Sequence, residues 1–375
     1  MAVRPVPFPL RRPLLLVRGA LLNRGRPDLV HLRSIEDPDR FAWAILPHVA
    51  RSFAASIVML PHAQAQAALV GYLYGRVLDT YEDMVPDHRQ KVEALQWFAT
   101  RFSTGSMADP PPVEVSAANA PDQVHQLLVE RRHLIDRLYT TLPETDQDKV
   151  AALVTAMATS MGRWTETFAA QGGVLETDQQ LSRYCDDVIG EPARFAMELV
   201  VRGPISDSQH RQVSTISEMV QLANVTRDIE QDLERGVSYH PSLRQYLGTA
   251  PMRPEAKEQV RKVREELLVR ALRGVPAYTG LLEDLSLPAF SGARGAAVLL
   301  LLFTDRHYRA CSVETGHEPW NGSDSTVALL LSSMLSMLSK RQAQRAVRRV
   351  EGNFLAAARA IEGTRRLREA TDPSK

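Results

Sequence analysis

Cysteine is nearly absent from this sequence. The two that occur, Cys185 and Cys311, lie far apart without metal-ligand spacing. This argues against a disulfide framework or a zinc site, and it suits two buried thiols in a reducing, cytoplasmic compartment. Long apolar runs are missing too: "GAAVLLLLF" (295–303) and "VALLLSSMLSML" (327–338) fall short of the roughly 18 residues a bilayer span needs. Neither sign of charge is in excess, since 45 basic against 44 acidic side chains leave a formal net charge of +1. No global field therefore recruits nucleic acid or an acidic partner. No succession of β-branched runs alternates with period two, and no repeat of fixed period is present.

What is present is an ordinary globular composition, 44% apolar and 24% charged over 375 residues, with ample material for a core. From about residue 40 the apolar spacing is helical, which predicts an all-α protein. The expected helices cover about 41–58, 64–84, 88–102, 121–141, 146–170, 178–200, 207–234, 254–273, 275–284, 290–314 and 325–362. Between them, "STGSMADPPPVEVSAANAPD" (103–122), "AQGGVLETD" (170–178) and "RGPISDS" carry turn chemistry. No linker divides the chain, so one large domain is expected. Residues 1–40 read as an extended, proline-interrupted arm whose arginine-flanked apolar stretch also suits a membrane surface. Residues 41–315 are expected to form the main body, which would carry any catalytic site. Residues 316–375 are an extension ending in an arginine-rich amphipathic helix packed on the same domain, without the interleaved aromatics of a nucleic-acid arm.

The stretch "RVLDTYEDMV" (76–85) sets three acids inside an otherwise apolar segment. On a helix Asp79 and Asp83 share a face and Glu82 stands one step to the side, an arrangement that repels itself unless a cation or solvent compensates. A helix end fraying into solvent would explain one such cluster. A second one, in "QLANVTRDIEQDLERG", sets Asn224, Asp228 and Asp232 at i, i+4 and i+8. Two stripes facing each other across a cavity could hold Mg²⁺ while leaving positions for water and substrate phosphate, which is how magnesium usually binds. Arg76 lies three residues before Asp79, Arg227 adjoins Asp228, and Arg51 with Ser52 forms "ARSF". Guanidinium groups bind phosphate oxygens bidentately, although these arginines can also serve simply to neutralise the neighbouring acids.

The motifs "ARSFAASIVMLP", "DTYED" with Arg76 before it, "YCDDVIG", "NVTRDIEQD" and "RGVSYHP", in this order over about residues 45–310, resemble the signatures of the squalene/phytoene synthase family. The first acid motif is most similar to that of the squalene synthase branch. The resemblance implies an isoprenoid synthase fold with a central cavity and an Mg²⁺-dependent prenyltransferase of the farnesyl-diphosphate farnesyltransferase kind. Two prenyl diphosphates, foremost farnesyl diphosphate, would join head to head through a cyclopropyl diphosphate, with NADPH reducing it to squalene. It also implies roles. Asp79, Glu82, Asp83, Asn224, Asp228 and Asp232 would hold Mg²⁺. Arg51, Ser52, Arg76 and Arg227 would grip diphosphate. Tyr184 would assist proton removal in the first half-reaction, with Arg76 and Arg227 also counted as catalytic.

Three departures stand out: Gln231 replaces an acid, Glu191-Pro192 follow Gly190 where small or apolar residues are usual, and no membrane tail follows the catalytic region. Phytoene or dehydrosqualene synthesis, a presqualene diphosphate or hydroxysqualene product, and cyclisation of a single prenyl diphosphate remain open. So does a non-catalytic helical scaffold. A water-insoluble product leads to the expectation of a peripheral membrane contact, through the N-terminal arm or "LPAFSG".

Overall fold

Helices account for all the regular structure of any length in this computed structural model, which describes residues 8–22, 27–50, 52–104, 115, 120–248, 254–285 and 287–371. In chain order they are α1 Phe8–Leu22, α2 Leu29–Arg33, α3 Pro38–Val49, α4 Ser52–Met59, α5 His62–Met84, α6 His88–Arg101, α7 Ala120–Glu130, α8 Arg132–Tyr139 and α9 Glu144–Ala170. There follow α10 Asp178–Cys185, α11 Glu191–Val201, α12 Asp207–Glu234, α13 Pro254–Leu272, α14 Val275–Asp284, α15 Gly292–Glu314, α16 Thr326–Leu338 and α17 Lys340–Thr371. A π-helical turn, Asp186–Gly190, joins α10 to α11, and a 3-10 helix spans Pro241–Tyr246. Among the described residues the one β feature is the isolated bridge between Val174 and Ser238. The all-α expectation holds.

The chain groups into two compact units: residues 1–166, 194–204 and 290–300, and residues 167–193, 205–289 and 301–375. In the first unit α5 is buried nearly all round, from Ala65 to Tyr81, and packs against α3, α4, α6, α7 and α8. A helix that is apolar on every side belongs in a core. Leu69, Leu73, Val77 and Leu78 are fully buried, each stabilising the fold by about 1.5–3 kcal/mol relative to an exposed position. Small residues keep the neighbours close: a Cβ at Gly71 would stand 2.8 Å from the Phe195 ring. Asp136 of α8 accepts hydrogen bonds from the Tyr74 hydroxyl at 2.6 Å and from Arg101 at 2.9 Å. The Arg101 guanidinium also lies 4.8 Å from the centre of the Trp97 ring. Such a buried ion pair adds little net stability, yet breaking it strands a charge, so it fixes α5, α6 and α8 in one register.

In the second unit α12 is the central helix, packed by α10, the π turn, α13 and α14. It starts at a capping box, where Ser206 accepts from the Gln209 backbone and the Gln209 side chain accepts from Ser206 N. It runs without proline or glycine to a Schellman end, with Val237 N donating to Asp232 O at 2.8 Å, Gly236 N donating to Leu233 O at 3.1 Å, and Gly236 at φ 81°. Arg264 of α13 ties α12 down by donating to Thr226 O at 2.8 Å and to Glu230 at 2.5 Å. Arg270 does the same through Glu218 at 2.6 Å, and reaches Ser182 of α10 at 2.7 Å. The Tyr308 hydroxyl of α15 donates to Met219 O.

Several expectations need correction. Within the arm over 1–40 the described residues are mostly helical and not extended, forming α1 and α2, and Arg11 pairs with Asp39 at 3.8 Å. The helix expected over 41–58 is two, α3 and α4, and that over 121–141 breaks at Arg131. The C-terminal helix expected over 325–362 breaks at Ser339, whose extended backbone separates α16 from α17. Apolar periodicity continues through each of these breaks and so does not reveal them. Most of the proline-rich segment 103–122 lies outside the described residues. Both cysteines are buried and free, and α17 packs on α13, α14 and α16.

Gly173 has φ 84°, and a Cβ there would fall 2.1 Å from Gly236 O. Gly173→Ala is expected to cost about 2–4 kcal/mol, combining left-handed backbone with overpacking. A thermal melt should fall by about 2–5 °C; an unchanged midpoint would show that the turn relaxes freely.

Candidate active site

The first acid stripe is on the C-terminal half of α5. Arg76 donates to Asp79 at 2.6 Å and approaches His125 Nδ1 of α7 at 3.4 Å. The Thr80 hydroxyl turns back onto Arg76 O at 2.7 Å, satisfying itself within the helix. Asp79 and Glu82 are half-buried and Asp83 is exposed. Burial raises the Asp79 carboxyl above its ordinary value, with Asp83 adding to the rise and Arg76 only partly opposing it. Glu82 has no such partner as close: burial, then Asp83 and Asp79, push it up to about 8. A cation placed among these oxygens would relieve both the burial and the repulsion, and such hard donors are of the kind Mg²⁺ takes.

The second stripe, on α12, repeats the pattern with a different partner. Arg227 forks onto the Asp228 carboxylate, Nε to Oδ1 at 2.8 Å and Nη2 to Oδ2 at 2.6 Å, and that bond raises the guanidinium pKa. Asn224 donates to Gln221 at 3.1 Å. Asp232, half-buried, sits where the Schellman motif closes the helix, so its backbone is fixed by the bond from Val237. Beside Asp228, His307 of α15 lies 3.3 Å from the Thr226 hydroxyl. Burial and then Arg227 lower its pKa to about 4, leaving a neutral imidazole at physiological pH. Among the described residues no three His, Cys, Asp or Glu side chains converge tightly enough to hold an ion alone. A Mg²⁺ that keeps water and takes substrate phosphate does not require them to.

A profile of the family described as squalene/phytoene synthase matches residues 46–310. The chain belongs to this family. Among sequence relatives are a squalene synthase of Candida albicans, 26% identical over 207 residues, and one of Eremothecium gossypii, 28% identical over 208. Each alignment covers 53% of this chain but only 44% and 45% of the relative, so the match spans less than half of their length. The solved complex of TcSQS with the ligand E5700 superposes with TM-score 0.65 at 19% identity, covering 88% of this chain and 99% of that one. The complex with BPH1237 gives TM-score 0.64 at 19%. At that identity the likeness establishes the fold, that of the squalene synthase structures.

Within the family frame, the structure brings Arg76 to Asp79 and Arg227 to Asp228, each by a direct ion pair. Arg51 lies outside the described residues, and Ser52 opens α4. Tyr184, buried in α10, has its hydroxyl 3.3 Å from that of Tyr239. Phe168 stands edge-on to both rings at 6.0 and 5.8 Å. The motif "RGVSYHP" contains Tyr239 without marking it; the Val174–Ser238 bridge is the feature that brings it to Tyr184. Nothing in the local sequence marks His307. Nor does sequence periodicity reveal the π turn over "DDVIG", a kind of distortion that recurs at functional sites.

A carboxyl whose folded pKa exceeds its unfolded value favours the protonated fold. Glu82 therefore removes stability progressively as pH climbs from about 4.5 through about 8. In chelator, the melting point of the unaltered chain should drop between about pH 6 and about pH 9 by more than that of Glu82→Gln, by at least about 2 °C. Parallel curves would contradict the assignment.

Proposed function

We propose that this chain catalyses Mg²⁺-dependent head-to-head condensation of two prenyl diphosphates, with farnesyl diphosphate as substrate and squalene as product when NADPH is supplied. The observation that carries the reading is the duplicated unit of oxygen donors plus adjoining arginine, Arg76 with Asp79 and Arg227 with Asp228. When bound, Mg²⁺ neutralises diphosphate and makes it a better leaving group. Asp79, Glu82 and Asp83 on α5 would hold it, as would Asn224, Asp228 and Asp232 on α12.

The remaining steps rest on the chain's own groups. Arg76 and Arg227 exchange their carboxylate partners for diphosphate oxygens. As the C–O bond of one substrate breaks, the double bond of the other supplies the electrons of the new C–C bond, and a proton is lost to close a cyclopropane. The Tyr184 hydroxyl, hydrogen-bonded to Tyr239, is placed in our reading to guide that proton. Loss of the second diphosphate requires a hydride to complete squalene, for which NADPH is the proposed donor; no side chain is assigned to it.

Purified protein given Mg²⁺ and either farnesyl or, in a parallel incubation, geranylgeranyl diphosphate should release squalene from farnesyl diphosphate, and only with NADPH, read by mass spectrometry of extracted products. Asp79→Ala and Asp228→Ala should each lower turnover at least about 100-fold, an expectation scaled on the loss of a single transition-state electrostatic group. A C30 or C40 product without reductant would assign a sibling activity. A cyclic C15 or C20 product would assign a cyclase, and full tolerance of both substitutions a scaffold.

A further inference from the structure

Helix α16 is built inside out. Its buried residues are Leu329, Ser333 and Ser336, while Val327, Leu331, Met334, Leu335 and Leu338 are 42–62% exposed. The exposed set follows i, i+4, i+7, i+8 and i+11, one continuous stripe along a helix about 20 Å long. Buried Ser336 satisfies its hydroxyl within the helix, donating to Ser332 O at 2.8 Å. A soluble helix ordinarily turns its serines outward and its leucines inward. An apolar stripe of this size presented to solvent marks a docking face.

Charge indicates what docks there. From Ser325 to Val350 there is no acidic residue, while Lys340, Arg341, Arg345, Arg348 and Arg349 follow directly on α16. Lys340, Arg341 and Arg345 are exposed. A second copy of the chain would bring the same acid-free stretch and so no charge complement. An anionic lipid surface brings both complements, an acyl boundary for the leucines and phosphate headgroups for the cations. No described helix is long and apolar enough to cross a membrane, so this contact lies along the surface. We propose that α16, with the basic first turns of α17, seats the protein on an anionic bilayer. The inference stands on α16 and α17 and holds whatever reaction the chain performs.

The full chain should pellet with phosphatidylcholine vesicles containing phosphatidylglycerol, and much less with phosphatidylcholine alone. The double variant Leu331→Gln/Leu335→Gln should weaken binding to anionic vesicles at least about tenfold. Lys340→Gln/Arg341→Gln should weaken it by about fivefold per charge, and only at low salt. Both variants alter exposed positions, so their melts should stay within a few degrees of the unaltered chain, separating lost docking from lost fold. The proposal is overturned if the unaltered chain ignores anionic vesicles, or if both variants bind as it does. It is equally overturned if only Leu10→Gln/Leu14→Gln in α1 abolishes binding, or if Leu331→Gln/Leu335→Gln merely splits a lipid-free dimer.

Discussion

Like charges one helical turn apart repel, and each acid stripe depends on how that repulsion is held. On α5 the Arg76 guanidinium holds Asp79, while Glu82 is left to keep a proton. On α12 the Arg227 fork holds Asp228. These clusters persist because the rest of each helix is fixed by packing that the acids cannot disturb. The Arg101–Asp136–Tyr74 network anchors α5, and Arg264 and Arg270 anchor α12. Acidic residues that strain a fold locally in otherwise apolar surroundings are candidates for a functional role.

The all-α class was legible because apolar spacing at the helical period extends over most of the chain. The stripes were legible because i, i+4 and i+8 place side chains on one face by covalent geometry alone. Breaks at Arg131 and Ser339 were not, since no glycine or proline marks them. The helicity of residues 8–22 was hidden by the prolines, of which Pro13 lies inside α1. His307 and Phe168 were invisible for another reason. They lie 81 and 71 residues from Thr226 and Tyr239, the groups they meet, and such pairings are set by tertiary packing that periodicity does not encode.

The π turn over Asp186–Gly190 shows how a local irregularity can serve placement. It packs against α12 and comes directly after Tyr184 and the buried Cys185. The turn takes up one residue more than an α-helical turn, which shifts the register of the positions that follow although the chain stays helical. Glu191 and Pro192, which depart from the family's usual residues, come immediately after the turn, at the start of α11. Pro192 has no backbone N–H to give the carbonyl four residues back, which is that of Val188 inside the π turn.

The closed ion pairs have a consequence for selectivity. An anion that approaches Arg76 or Arg227 meets a guanidinium already in contact with a carboxylate at 2.6 Å and competes with that carboxylate for it. Chloride or a monophosphate, arriving alone, gains one contact by breaking another and leaves a bare acid behind. A polyphosphate arriving with its own cations brings a replacement for both partners at once. In the proposed reaction the resting pairs thus act as a threshold, passing ligands that carry charge of both signs and ignoring those that carry one.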